Sequence, residues 1–209
     1  MNIAIIGANG KIGKMLVNEA IKQKMDVTAI SRKVNSSNAN KWMDKDVFEL
    51  NNNDLKEFDV IIDALAFWTP ETFHLHSESI EHLSNLLADT KKRLIIVGGA
   101  GSLFISKSKN VKLMDSLEFP SEYIPVAKAM NDSFELLKTK KDVWWTYVSP
   151  PLNFSYDGLW TGSYKIGGDV MIKNHNNESY ISYIDYAIAI IDEITKGNHL
   201  QEHISVVGA

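Results

Sequence analysis

The opening of the chain restricts its fold more than any other stretch. Met1-Asn-Ile-Ala-Ile-Ile-Gly7 is a short apolar run ending in glycine, the pattern of a strand buried on both faces of a parallel sheet. From Lys11 to Lys24 the period changes. Ile12, Leu16 and Ala20 fall four apart, with Gly13, Val17 and Ile21 beside them, which predicts a helix with one apolar stripe. Between the two lies Gly7-Ala-Asn-Gly10-Lys-Ile-Gly13. Gly7 suits a tight turn, Gly10 lets a pyrophosphate approach the backbone, and Gly13 lets the helix pack closely on the strand. The free N–H groups and the positive dipole end of such a helix attract phosphate. A glycine triplet alone says little, but between a strand and a helix at the start of a βαβ unit it predicts a dinucleotide site.

The alternation continues. Asp26 to Ser31 supplies a second β-branched run, Asn35 to Asn40 a polar surface loop, Val47 to Leu50 a weaker strand and Phe58 to Leu65 a fourth. Thr69-Pro70-Glu71 opens a helix with a capping hydroxyl, a first-turn proline and an acid, and Phe73, Ile80, Leu83 and Leu87 form its apolar face. Arg93 to Val97 is a fifth strand running into Gly98-Gly-Ala-Gly-Ser102. A helix follows from about Pro125 to Lys138, then a strand from Val143 to Val148 stopped by Ser149-Pro150-Pro151. Residues 152–180 read as a loop and hairpin lid over the carboxyl ends of the strands. Ser182-Tyr-Ile-Asp185 reads as a capping box heading a helix with Ile184, Ile188 and Ile191 inside, and Ile204 to Val207 closes the sheet. The expected architecture is one α/β domain over 1–209, a doubly wound, mostly parallel sheet of Rossmann type with right-handed crossovers.

Composition removes several function classes. Without cysteine there is no disulfide, thiolate nucleophile or Cys-ligated metal. A net charge of -4 and no long Lys/Arg cluster argue against nucleic acid or an acidic membrane as the main partner. No apolar stretch approaches the roughly 20 residues that span a bilayer, and no signal-peptide pattern opens the chain. The expectation is a cytoplasmic protein with a small-molecule partner. His74 and His76 are two apart, and His199 and His203 four apart without an accompanying carboxylate motif, so no metal site is predicted.

Ligands of open α/β sheets lie outside the carboxyl ends of the strands. After the second strand stands Ser31-Arg32-Lys33, where NAD enzymes carry an acid for the ribose 2′-hydroxyl. A guanidinium and an ammonium suit a 2′-phosphate, so NADP(H) is preferred, with NAD(H) as the alternative. The predicted cofactor contacts are Gly7, Asn9, Gly10, Lys11 and Ile12, then Ser31, Arg32 and Lys33. Ala64, Leu65 and Ala66 join them from the fourth strand, Gly98, Gly99 and Ala100 from the fifth, and Ser149, Pro150 and Leu152 from the sixth. Trp68, Phe104, Phe154 and Trp160 lie just beyond these strand ends and are candidates for an apolar wall around a flat substrate, with lid or core packing as the competing role.

The GxxGxxG turn and Asp63-Ala-Leu-Ala66 resemble the atypical, NmrA-like branch of the short-chain dehydrogenase/reductase superfamily. Arg93 to Leu103, Trp145 to Pro150, Thr161 to Asp169 and Ile181 to Ala187 are similar to bacterial NAD(P)H-flavin reductases, a likeness spanning nearly the whole chain. It implies a monomeric or homodimeric reductase that passes hydride to free flavin or a quinone-like acceptor. The rival readings are an NADP-sensing regulatory protein without turnover and an epimerase/dehydratase-like enzyme. The superfamily's acid–base pair is a Tyr and a Lys four residues apart on one helix. Here Tyr123 and Lys128 are five apart and Pro125 begins the helix, so alcohol or ketone chemistry through Tyr123 is disfavoured, while Lys128 either binds ribose or is a solvated first-turn lysine. Ser102 is the best placed hydroxyl to orient an acceptor, with a backbone hydrogen bond inside the glycine-rich turn as the equal alternative. Flavin reduction needs positioning above all, because water can protonate the product.

Overall fold

The computed structural model describes residues 1–209. Its first strand shows why a sheet covered on both faces forms. In β1 (Asn2–Ile6), Ile3 and Ile5 join one core and Ala4 and Ile6 the other, all of them buried. The first core packs Leu16, Val17 and Ala20 of α1 (Lys11–Lys22) and Ile190, Ile191 and Ile194 of α5 (Tyr183–Lys196) onto the sheet. The second packs Ile80, Leu83 and Leu87 of α3 (Leu75–Leu87) and Phe134 and Leu137 of α4 (Ile124–Leu137). A strand between two such layers has no polar face, which is why β1 reads as a continuous apolar run.

β2 (Asp26–Ser31) and β4 (Val60–Asp63) flank β1 in parallel register, Ile5 opposite Ala29 on one side and Ile62 on the other. β3 (Lys41–Asp44), β5 (Arg93–Val97), β6 (Trp144–Ser149) and β10 (Glu202–Gly208) extend the parallel sheet, and β8 (Tyr164–Gly167) runs antiparallel along β10. The order is β3-β2-β1-β4-β5-β6-β10-β8. The chain moves outward from β1 through β2 to β3, then returns to β4 on the other side. That reversal places the topological switch point between β1 and β4.

The architecture is the doubly wound one expected, with several local differences. Val47–Glu49 is a 3-10 turn, not a strand, because Asp46 accepts from the Phe48 N–H at 3.0 Å and Glu49 reaches back to the Asp46 N–H at 2.9 Å. The strand in this region is the exposed β3, an edge strand whose position is set by β2. Thr69 leads into a 3-10 turn, Pro70–Thr72, its hydroxyl meeting that of Thr72 at 3.1 Å, and α3 starts only at Leu75. A short α2 (Asn52–Leu55) precedes β4.

The 152–180 stretch is not a hairpin. β7 (Asn153–Ser155) pairs in parallel with β9 (Tyr180–Ser182), while β8 leaves to become the outer edge of the main sheet, so β10 does not close it. Ser182 caps α5 by accepting from the Asp185 N–H at 3.1 Å, but the reciprocal half of the box is missing. The buried Asp185 carboxylate instead accepts from the Thr161 hydroxyl at 2.6 Å and the Gly162 N–H at 2.9 Å, pinning the preceding loop to the helix.

Candidate functional site

Gly7 sits at φ +78°, where a left-handed backbone favours glycine, and its N–H continues the ladder to the Ile30 carbonyl at 3.1 Å. A Cβ there would lie 2.9 Å from the Ala64 carbonyl oxygen at the end of β4. At Gly13 a Cβ would stand 2.2 Å from the Gly7 carbonyl oxygen, so close packing of α1 on β1 requires glycine. Gly10 differs from both. A Cβ would meet only the Gly7 oxygen, at 3.1 Å, and the space beyond is open. Gly10 also precedes α1, which has no capping side chain and no acid in its first turn. The first amides of α1 therefore face that open space with no intrahelical partner and an uncompensated positive dipole end, a ready seat for an anion.

Asn9 and Ser31 brace this turn. The Asn9 amide donates to the Ser31 hydroxyl at 3.2 Å and to the carbonyls of Lys33 and Val34, and its oxygen accepts from the Ser36 N–H at 2.7 Å. The Ser31 hydroxyl donates to the Lys33 carbonyl at 2.8 Å and accepts from the Trp42 indole at 3.1 Å. Both side chains are engaged in holding the β2 loop against the glycine turn, a geometric role in place of direct contact. Arg32 and Lys33 project outward. The Arg32 guanidinium lies 3.4 Å from Asp46, an acid brought into this corner by the capped 3-10 turn, whose Asp46-Val-Phe-Glu49 spacing is a capping-box pattern.

At the end of β4 the buried Asp63 carboxylate accepts from the Leu65 N–H at 2.9 Å, and burial pushes its pKa up to about 6. Ala64 is buried, Leu65 half-buried and Ala66 exposed, with Trp68 beyond them open to solvent. The turn after β5 is more crowded. The Gly99 carbonyl accepts from Ser102 at 3.1 Å and Ser149 at 2.8 Å, and the Gly99 N–H meets the hydroxyl of the buried Tyr147, whose pKa burial raises to about 12. Ser102 and Ser149 are buried, so neither hydroxyl is presented at the strand ends as expected. Pro150 is buried, and the Leu152 N–H is bound by Ser179 at 3.0 Å.

The four aromatic candidates do not form one wall. Phe154 stacks on Tyr183 at 3.9 Å between centroids and packs against the core. Trp160 lies over Lys22, at the far end of α1 from the glycine turn. Phe104 turns with Ser102 into a separate cavity under α4, leaving Trp68 alone at the strand ends. The pattern breaks because β8 and β9 draw the 152–180 stretch along α5 instead of across the sheet. An aromatic not singled out from the sequence does reach the turn: Tyr156 carries the Lys11 ammonium 4.7 Å above its ring centroid. Tyr123 precedes α4, half-exposed, and Lys128 is exposed on that helix, with Pro125 inside its first turn as expected.

The NAD(P)H-binding family profile matches residues 7–196, from the first glycine of the turn to the last residue of α5. The chain belongs to that family. It is 43% identical to the uncharacterized protein YwnB of Bacillus subtilis (strain 168) over 212 residues, covering 99% of this chain and 98% of that one. Among solved structures it is similar to SP1627 from Streptococcus pneumoniae TIGR4, described as a "putative NADH-flavin reductase". That match has 46% identity, a TM-score of 0.97 and complete coverage of both chains. A structure described as a "putative epimerase" from Bacteroides thetaiotaomicron matches at 33% identity and a TM-score of 0.86, over 99% of this chain and 96% of that one. NAD(P)H binding is common ground for this family. No helix is long and apolar enough to cross a membrane.

Proposed function

We propose that the protein oxidises NADPH in preference to NADH and passes the hydride to a flat conjugated acceptor, free flavin first and quinone second. The observation that carries this reading is the uncapped start of α1 over the side-chain-free surface of Gly10, in a chain 46% identical to a protein described as an NADH-flavin reductase. The amides around Gly10, Lys11 and Ile12 hold the pyrophosphate, with Gly7 shaping the turn and Asn9 and Ser31 fixing its distance from the β2 loop. Lys11 adds a cation beside the phosphates. Arg32 and Lys33 take the 2′-phosphate, which competes with Asp46 for an exposed guanidinium held at only 3.4 Å. Ala64 to Ala66, Gly98 to Ala100, Pro150 and Leu152 border the rest of the dinucleotide along the strand ends. When bound, the nicotinamide supplies the hydride, and one solvent proton completes reduction of the acceptor.

The chain's own contribution is then positioning. Tyr123 stands outside α4 and half-exposed, so its replacement by Phe lowers turnover less than tenfold, short of the roughly 10²- to 10⁴-fold that a general acid contributes. The direct test is anaerobic mixing of the protein with NADPH and FMN, riboflavin or a naphthoquinone, following absorbance of the reduced nicotinamide. Rapid oxidation is expected. Tight NADPH binding with no turnover on any acceptor would assign the chain to the sensing class. Arg32→Ala is expected to weaken NADPH binding about three- to tenfold while leaving NADH unchanged, and equal losses for both cofactors would refute the 2′-phosphate contact.

A further inference from the structure

Lys11 is the first residue of α1, so its charge stands at the helix end that disfavours a cation. No acid in the first turn offsets it, and its ammonium forms no ion pair. What it meets is a ring: the Lys11 Nζ lies 4.7 Å from the centroid of the partly exposed Tyr156. At the other end of the helix Lys22 has an acid, Glu19 at 3.4 Å, and in addition the Trp160 ring at 5.7 Å. One loop segment thus meets both ends of α1 through aromatic side chains, and only the lysine at the glycine turn is left without a carboxylate.

Tyr156 is held in place by a column of rings. Tyr183 of α5 meets it edge to face at 5.6 Å between centroids, Phe154 of β7 stacks on Tyr183 at 3.9 Å, and Tyr186 lies 4.8 Å from Phe154. Tyr186 is fully buried and its hydroxyl donates to the Val148 carbonyl at 2.6 Å, which roots the column in β6. The chain beyond Tyr156 is fixed as well. A Cβ on Gly158 would stand 2.7 Å from the Ser182 Cβ, so the backbone presses against the end of β9, and Thr161 and Gly162 are bound by Asp185.

A ring face and a carboxylate hold a lysine in different ways. Both attract the ammonium, but a carboxylate cancels its charge and competes with phosphate for it, whereas an aromatic quadrupole leaves the net charge in place. The ring covers one side of the ammonium, and N–H donors on the other side stay free for an anion. A lysine already ordered in this way also loses less rotamer freedom when it meets one.

We propose that Tyr156 is a positioning residue of the dinucleotide site, presenting the Lys11 ammonium with its charge intact to the pyrophosphate at the glycine turn. The proposal rests on the dinucleotide reading and extends that site to a loop after β7. It is tested by calorimetric titration of the full chain with NADPH and with NADH, which share the pyrophosphate. Tyr156→Leu is expected to weaken both about two- to fivefold, the worth of an exposed cation–π contact, and Tyr156→Phe, which keeps the ring face, to bind as wild type does. Lys11→Gln weakens both cofactors about tenfold or more, the loss of a charged hydrogen bond. Adding Tyr156→Leu to Lys11→Gln then costs nothing further, a non-additivity that a ring serving only the loop's structure would not produce. Trp160→Leu, at the far end of α1, leaves both affinities unchanged. Should Tyr156→Leu fail to fold, Tyr156→Gln takes its place in the cycle. Additive losses, an equal loss in Trp160→Leu, tighter binding in Tyr156→Leu, or a loss confined to NADPH each overturn the proposal. Gly10→Val titrated alongside separates the two readings. Lost binding there, with wild-type affinity in Lys11→Gln and Tyr156→Leu, ends this proposal alone, whereas retained binding removes the pyrophosphate from the turn and this proposal with it.

Discussion

After β1 the chain turns through Gly7-Ala-Asn-Gly10-Lys-Ile-Gly13, and after β5 through Gly98-Gly-Ala-Gly101-Ser102; the two turns differ in what fills the space their missing side chains leave. Beyond Gly10 that space is open, and α1 starts at once with unpaired amides. In the second turn the protein fills it. A Cβ on Gly98 would lie 2.2 Å from the Tyr147 ring, one on Gly99 3.0 Å from the Met130 sulfur, and one on Gly101 2.9 Å from the Ala127 Cβ. Its Gly99 carbonyl is taken by two serines, and a regular helix begins only at Ile124. Glycine after a parallel strand marks a place where a side chain cannot go. Whether a ligand or a neighbouring side chain takes the room is decided by what packs there.

The comparison can be broken at either turn. Gly98→Ala drives a Cβ into a ring that is itself 1% exposed, and is expected to cost about 3 kcal/mol in urea unfolding, the upper end of ordinary overpacking. Adding Tyr147→Leu should recover at least half of that loss; no recovery would mean that the ring is not what excludes the side chain. Gly10→Val is expected to do the reverse, reducing dinucleotide affinity by at least about a hundredfold while costing only about 1 kcal/mol of stability through the poorer helix cap. Retained affinity in the folded variant would remove the pyrophosphate from this turn.

A third expected effect belongs to Asp63, whose strand end adjoins both turns. Its pKa is raised from 3.8 to about 6, so between those values the folded protein holds more protons than the unfolded chain, and stability falls as pH rises through that window. Asp63→Asn keeps an acceptor for the Leu65 N–H and removes the titration. It is expected to gain up to about 3 kcal/mol at pH 8 and to flatten the stability profile between pH 4 and 6. Unchanged stability at pH 8 would show that the carboxylate is better solvated than its burial implies.

Much of the site could be read from local pattern, because its determinants are local. The roles of Gly7 and Gly13 follow from backbone geometry within seven residues, and the bounds of α1 and β2 follow from hydrophobic period. Ser102 and Ser149 are not settled by local pattern, for the opposite reason. Ser102 follows β5 and Ser149 ends β6, where a ligand-binding hydroxyl can stand, but their partners are Gly99 and, for Ser149, a histidine 54 positions further along. Asp185 shows the same limit, since its place in a capping pattern gives no hint of Thr161 and Gly162. Tyr147 was within reach, because alternation along β6 puts it on the same face as Trp145, a face that must pack under α4.

By itself the sequence determined that a buried parallel strand leads through a glycine turn into a helix, that strands and helices then alternate, and that a basic pair follows β2. These features depend on backbone conformation and periodicity over a few residues. Only the tertiary structure decided that Asp46 approaches Arg32, that Tyr156 meets Lys11, that Ser149 meets His203, and that His203 and Trp145 border one cavity. Those contacts depend on strand order and register, with β10 beside β6 and β8 at the edge, which are selected by packing the whole sheet between its two cores.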